Sequence, residues 1–348
     1  MTGDARPVLF VTNHAPPFRV GAFAALHARE EVVFALIGGD VRHGGGAGGG
    51  APLPFPVLRP TQRGVLRLAA SGRYRAVVAG LSGRVALPAA WAGARRAGVP
   101  LVLWAAIWAH PRTPAHALSY LPLRRLYRSA DAIATYGPHV SAYVRAQGAR
   151  GPVLVAPQSV DDAFWSAPAQ PIRRAPFQAT FAGRAAGEKG VQVLLEAWQA
   201  SGLPPAAAAL VLLGDGPQIE GARSPEQLRN FYAGSDVVVV PSIPTRDFLE
   251  PWGLVVNEAF DQGVPVIATD AVGAAAGGLV QHERTGLVVP AGDVEALAAA
   301  LRRLHDDPEL RSRLGAAARE AVRAHSHAAW ADGMSAALRA AGASKAPC

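Results

Sequence analysis

Short apolar runs alternate from end to end of the chain with longer stretches in which apolar positions recur at helical spacing, the pattern of parallel strands wrapped by helices. In the first half strands are predicted at Val8 to Asn13, Val32 to Ile37, Ala76 to Ala79, Leu101 to Ala105, Ala132 to Thr135 and Val153 to Ala156. Helices fill Arg19 to Ala28, Gln62 to Ala70, Ala86 to Ala97, Ala115 to Ser129 and Val140 to Gln147. In the second half strands are predicted at Gln178 to Ala182, Ala209 to Leu213, Val237 to Val240, Val264 to Thr269 and Leu287 to Val289. Helices there run near Val191 to Ala200, Pro225 to Ala233, Leu254 to Phe260 and Val294 to His305. The pattern predicts two doubly wound units over 1–158 and 177–325. A linker over 159–176 is marked by Pro168, Pro171 and Pro176, and a helix and tail over 326–348 can pack back on the first unit. Gly38 to Pro52 lacks the side chains to build a core and is expected to be a mobile surface loop.

A length of 348 residues, half of them hydrophobic, agrees with about two domains and excludes a fibre or a disordered tail. The chain opens Met1-Thr2-Gly3-Asp4-Ala5-Arg6, without a basic-then-apolar leader. Its longest apolar run, Val99 to Ala109, is far short of the ~20 residues that cross a bilayer, and a cytoplasmic protein is expected. The only cysteine, Cys348, allows neither an internal disulfide nor a Cys-x-x-Cys zinc site.

Charge is unevenly divided. Residues 1–172 carry 18 Arg, no Lys and seven acids, a net of +11, whereas residues 173–348 carry 14 Arg, two Lys and 19 acids, a net of −3. A basic first half suits an anionic substrate, an anionic membrane face or nucleic acid, and equally a surface kept soluble by scattered arginines. In a chain this rich in arginine, Lys189 invites a chemical reason.

The stretch from Asp247 to Phe260 is the most informative. Pro251 and Gly253 mark a strand-to-helix turn, and a helix starting near Leu254 would present free backbone N–H groups, which favour a phosphate. Glu250 lies before that helix and Glu258 about one turn inside it, so two carboxylates can address different parts of one ligand; acids at a helix start are also ordinarily favourable by themselves. Arg184 and Lys189 follow a strand and precede a helix, where loops at the carboxyl ends of parallel strands bind ligands, and two cations there can neutralise a diphosphate.

Glu250 to Glu258 resembles the E-x7-E motif of the retaining family-4 glycosyltransferases (glycosyl transferases group 1). Phe181-Ala182-Gly183-Arg184 with Glu188-Lys189-Gly190 is similar to the family's Gly-Arg and Lys-Gly segment. Leu212-Leu213-Gly214-Asp215-Gly216, Tyr232 to Val237, Gly263 to Ala268 and Glu283 to Val288 follow in the family's order, over roughly residues 177–305. The resemblance implies a GT-B fold, an α/β architecture of two facing Rossmann-like domains with parallel sheets and an interdomain cleft. It implies a donor site of Gly183, Arg184, Lys189, Gly214, Trp252, Gly253, Leu254 and Glu258, with Gly21 placed against the donor phosphate after the first strand. Glu250 is implied to position the transferred sugar and His110 to contact it from the cleft.

The first half offers few acids on convincing loops that could serve as the general base of an inverting enzyme, which favours retention. The expected activity is therefore transfer of a hexosyl-type sugar from a nucleoside-diphosphate sugar to a hydroxyl of a saccharide, lipid-linked or small-molecule acceptor. No metal site and no required cofactor are expected, since no Asp-x-Asp motif falls in a suitable place. Two alternatives are a sugar-nucleotide epimerase on the same fold and a basic nucleic-acid binder, the latter opposed by the lack of interleaved aromatics over Leu66 to Arg75. Arginines beside leucines at Pro60 to Arg75 and Leu121 to Arg128 would let the protein rest on the inner face of an anionic membrane.

Overall fold

The structure, a computed structural model, describes residues 4–38, 52–81, 83–217 and 219–344. Most of the glycine-rich segment, expected to be a surface loop, lies outside the described residues. The chain divides into two compact units, Met1–His110 with Pro114–Ser159 and His327–Cys348, and Pro111–Thr113 with Val160–Ser326.

In the first unit β1 (Val8–Thr12), β2 (Val32–Leu36), β3 (Val57–Leu58), β4 (Ala76–Gly80), β5 (Leu101–Ala105), β6 (Ala132–Thr135) and β7 (Val153–Val155) form a parallel sheet ordered β3-β2-β1-β4-β5-β6-β7. Both faces of its strands are apolar, as a sheet covered on two sides requires. Phe10 and Phe34 face α1 (Pro17–Glu30) and α13 (His327–Ala340), where Trp330 and Met334 complete an aromatic core with Phe23 and Trp104. Leu9, Val77, Leu101 and Ile133 face the opposite way. There they meet α3 (Ala86–Ala97), α4 (Pro114–Ser129) and α5 (Pro138–Ala146), with α2 (Gly64–Ala69) packed on α3. A buried ion pair, Arg75 to Glu30 at 2.5 Å, ties the end of α1 to the start of β4, and Arg75 also donates to the carbonyls of Arg6, Glu30 and Ala343. The many hydrogen bonds offset the cost of burying this charge.

In the second unit β8 (Phe177–Arg184), β9 (Ala208–Asp215), β10 (Val237–Val240), β11 (Val266–Thr269) and β12 (Gly286–Val289) form a parallel sheet ordered β12-β11-β10-β8-β9. Its helices are α6 (Asp162–Trp165), α7 (Val191–Ser201), α8 (Pro225–Ala233), α9 (Val255–Asp261), α10 (Gly273–Ala276), α11 (Val294–Asp306) and α12 (Pro308–Val322). Ser224 and Gln227 form a capping box at α8, and Asp293 and Asp307 cap α11 and α12, so short polar signals start these helices. α12 is a helix the sequence reading does not predict, although Leu310, Leu314, Ala318 and Val322 form one buried stripe at helical spacing. Of residues 159–176, expected as a linker, 160–176 are built into this unit: Asp161 caps α6, Trp165 is buried, and Arg173 pairs with Asp236 at 2.6 Å.

Candidate functional site

From β8 the chain passes to β9 on one side and later to β10 on the other, so the crevice beyond the carboxyl ends of β8 and β10 is a topological switch point. Ligands of open parallel sheets bind at such points. Gly183 and Arg184 end β8, a single 3-10 turn covers Gly187–Lys189, and Gly190 opens α7 in the left-handed conformation at φ 66°. A Cβ at Gly190 would lie 1.9 Å from the Pro241 carbonyl oxygen, so glycine lets the β8 loop close onto the end of β10. Gly214 serves the other side of β8 in the same way: at φ 132°, its Cβ would meet the Gly183 oxygen at 1.9 Å.

That close approach brings Lys189 and Glu250 together. The Lys189 ammonium donates to a Glu250 carboxylate oxygen, which also accepts from the Ser242 hydroxyl at 3.2 Å, and Lys189 Nζ stands 5.7 Å from the centre of the Phe248 ring. Glu250 is 7% exposed, and its backbone is fixed by a bridge to Val272 and by the Gly273 N–H on its carbonyl at 3.0 Å. Pro251 packs against Gly273, whose Cβ would fall 2.0 Å from the Pro251 oxygen. Trp252 is buried, with Nε1 donating to Asn257 Oδ1 at 2.7 Å and its ring 5.3 Å from His325. Gly253 then turns at φ 93° and Leu254 caps α9.

Glu258, one turn into α9, accepts from the Tyr232 hydroxyl at 2.9 Å. Burial pushes its carboxyl up to about 7, and the Tyr232 bond only partly offsets that. Asp261, on the same helix, is raised to about 7 by burial and then by the charges of Asp162 and Glu258, with Arg319 opposing. Arg184 stands apart: two-thirds of its side chain is exposed, and its partner is Glu188 at 3.4 Å. Ser242, Phe248 and the Tyr232 hydroxyl are not among the site residues the sequence predicts; the available signals are that Phe248 lies within the Asp247 to Phe260 stretch and Tyr232 within a matching segment.

The other two candidate residues belong to the first unit. Gly21 lies inside α1, where a Cβ would meet the His327 ring at 2.4 Å, so helix packing against α13 accounts for this glycine. His110 Nε2 is 2.7 Å from the His116 carbonyl oxygen. A carbonyl only accepts, so Nε2 carries the proton and Nδ1 of the neutral ring offers a lone pair. Nδ1 is buried and without a hydrogen-bond partner among the described residues, and the Tyr120 ring stands 4.9 Å away. Among the described residues no group of three His, Cys, Asp or Glu is placed to hold a metal ion.

Residues 206–321, about a third of the chain, match the family described as glycosyl transferases group 1. The chain is 37% identical over 130 residues to the lipopolysaccharide core biosynthesis glycosyltransferase LpsD of Rhizobium meliloti, covering 33% of this chain and 36% of that protein. It is 42% identical over 116 residues to D-inositol 3-phosphate glycosyltransferase of Corynebacterium glutamicum, covering 32% and 25%. The chain thus spans between about a quarter and two-fifths of the curated relatives named first. Among solved structures, Anabaena HepE in complex with UDP and glucose aligns with 96% of this chain and 99% of its own at TM-score 0.72 and 18% identity. Sucrose-phosphate synthase from Thermosynechococcus elongatus aligns with 96% and 98% at TM-score 0.74 and 20% identity. At these identities the likeness carries the fold: two Rossmann-like parallel-sheet units of the GT-B class.

Proposed function

We propose that this chain is a retaining glycosyltransferase that moves a hexosyl-type sugar from a nucleoside-diphosphate sugar to a hydroxyl of a saccharide, lipid-linked or small-molecule acceptor. The observation that carries the reading is the Lys189–Glu250 pair at the switch point of the second unit, with Glu258 one helix turn beyond it. The match of residues 206–321 to glycosyl transferases group 1, and the GT-B fold shared with structures holding UDP, support it. Without donor, Lys189 is neutralised by Glu250. An entering diphosphate draws the ammonium toward its oxygens, where it stabilises the charge that develops as the glycosidic bond breaks. Glu250, still accepting from Ser242, then orients sugar hydroxyls, while Glu258, held by Tyr232, accepts from the ribose. Arg184 at the rim adds a second cation, and Gly183, Gly214, Trp252, Gly253 and Leu254 shape the walls. The leaving diphosphate oxygen takes the acceptor proton on the face it departs from, which retains the anomeric configuration. UDP-sugars are the first donors to try, because the HepE complex holds UDP. Proton NMR of the product made from an α-linked UDP-hexose should show an α linkage. A β linkage would overturn retention, and an epimerised donor formed without acceptor would turn the reading to an epimerase.

A further inference from the structure

Two leucines of α4 are almost bare to solvent. Leu118 is 84% and Leu121 70% exposed, whereas no other large hydrophobic side chain among the described residues exceeds 44%. The helix is not short of a core, since Leu126 and Tyr127 are buried in the first unit. Leu118, Leu121, Arg125 and Arg128 are spaced three, four and three residues apart, which places all four along one face. Arg125 and Arg128 are exposed and have no carboxylate partner among the described residues; the nearest following acid, Asp131, is taken by Arg95 at 3.4 Å. The surrounding sequence sharpens this, for residues 51–130 hold twelve arginines and not one acid.

We infer that this face of α4 is a docking surface for an anionic lipid membrane. Bare leucines gain by entering the acyl boundary, at roughly 25 cal/mol per Å² of apolar area covered. Guanidinium groups one and two turns along the same face reach lipid phosphates, which they bind with paired N–H donors. Neither feature alone selects a membrane, but a stripe that passes from leucine to arginine matches the passage from acyl chain to headgroup. A second copy of this chain fits less well, because it would set one unpaired arginine stripe against another. Nucleic acid would leave the leucines unused. Contact is peripheral, since no helix among the described residues is long and apolar enough to cross a membrane.

Flotation of the full chain with vesicles tests this, using phosphatidylcholine alone and phosphatidylcholine with about one-third phosphatidylglycerol, at low salt and at about 0.5 M. The parent should float with the anionic vesicles, not the neutral ones, and binding should weaken with salt. L118S/L121S should lower the partition coefficient at least about tenfold. R125Q/R128Q should lower it about 20- to 30-fold, each arginine near an anionic surface counting for about fivefold. All four positions are exposed, so unchanged melting curves verify folding, and the arginine pair keeps the test decisive should the leucine pair misfold. A parent that stays in solution with anionic vesicles would overturn the proposal. So would a leucine variant that binds undiminished, or a dimer lost in L118S/L121S while vesicles are ignored. No nucleotide enters the measurement, so its outcome is separate from that of the donor site.

Discussion

Glu258 is the residue whose surroundings most constrain its chemistry. Its carboxyl titrates near 7 in the folded chain and near 4.5 when unfolded, because burial disfavours the charged form. Between those values the folded state binds more protons than the unfolded one, so stability falls as pH rises from about 4.5 to 7 and is level above it. Asp261, raised in the same direction, steepens the fall. In Glu258→Gln the neutral amide still accepts from Tyr232. This variant should match the parent at pH 4 and exceed it at pH 8 by about 1–3 kcal/mol, read from urea midpoints across pH. A variant less stable than the parent at pH 8 would show that the carboxylate is welcome where it sits. Lys189 and Glu250 present the complementary case: each neutralises the other, at a point where the fold favours ligands.

At the scale of elements, the site depends on how closely one loop can approach another strand. Gly190 and Gly187 flank Lys189, and only Gly190 is both left-handed and pressed against backbone; nothing lies within 4 Å of a Cβ at Gly187. Gly190→Ala should therefore destabilise the chain by about 2–4 kcal/mol and move Lys189 away from Glu250, whereas Gly187→Ala should melt with the parent. Thermal melts of the pair check this, and equal melting would remove the close approach from the account. This level of structure was only partly legible in the sequence. β5, β6, β10, α3 and α8 fall at the boundaries expected from their apolar runs and the breakers beside them. β3 is two residues long and too short to show a period. α12 begins with a proline and carries three arginines and a glycine, which masks its apolar stripe until Gly315 is seen against the Gly263 oxygen.

At the scale of the whole molecule, two parallel-sheet units could be read from alternation alone, because buried parallel strands are apolar throughout and cannot be mistaken for surface. What the sequence could not disclose is long-range. Trp330 completes an aromatic core whose Phe10, Phe23, Phe34 and Trp104 lie more than 200 residues earlier. Lys189 and Glu250 could be singled out by a motif, but not their mutual ion pair, nor the Ser242 bond to the same carboxylate.

The central claim, a nucleoside-diphosphate site built on that pair, is tested most directly by isothermal titration of UDP into the parent, Lys189→Ala and Glu258→Ala, with GDP, ADP and TDP beside it. One diphosphate should bind the parent. Lys189→Ala should weaken it by about 30-fold or more, as loss of a desolvated charge contact does, and Glu258→Ala by about tenfold. Variants that bind as tightly as the parent, or a parent that binds none of the four, would contradict the assignment.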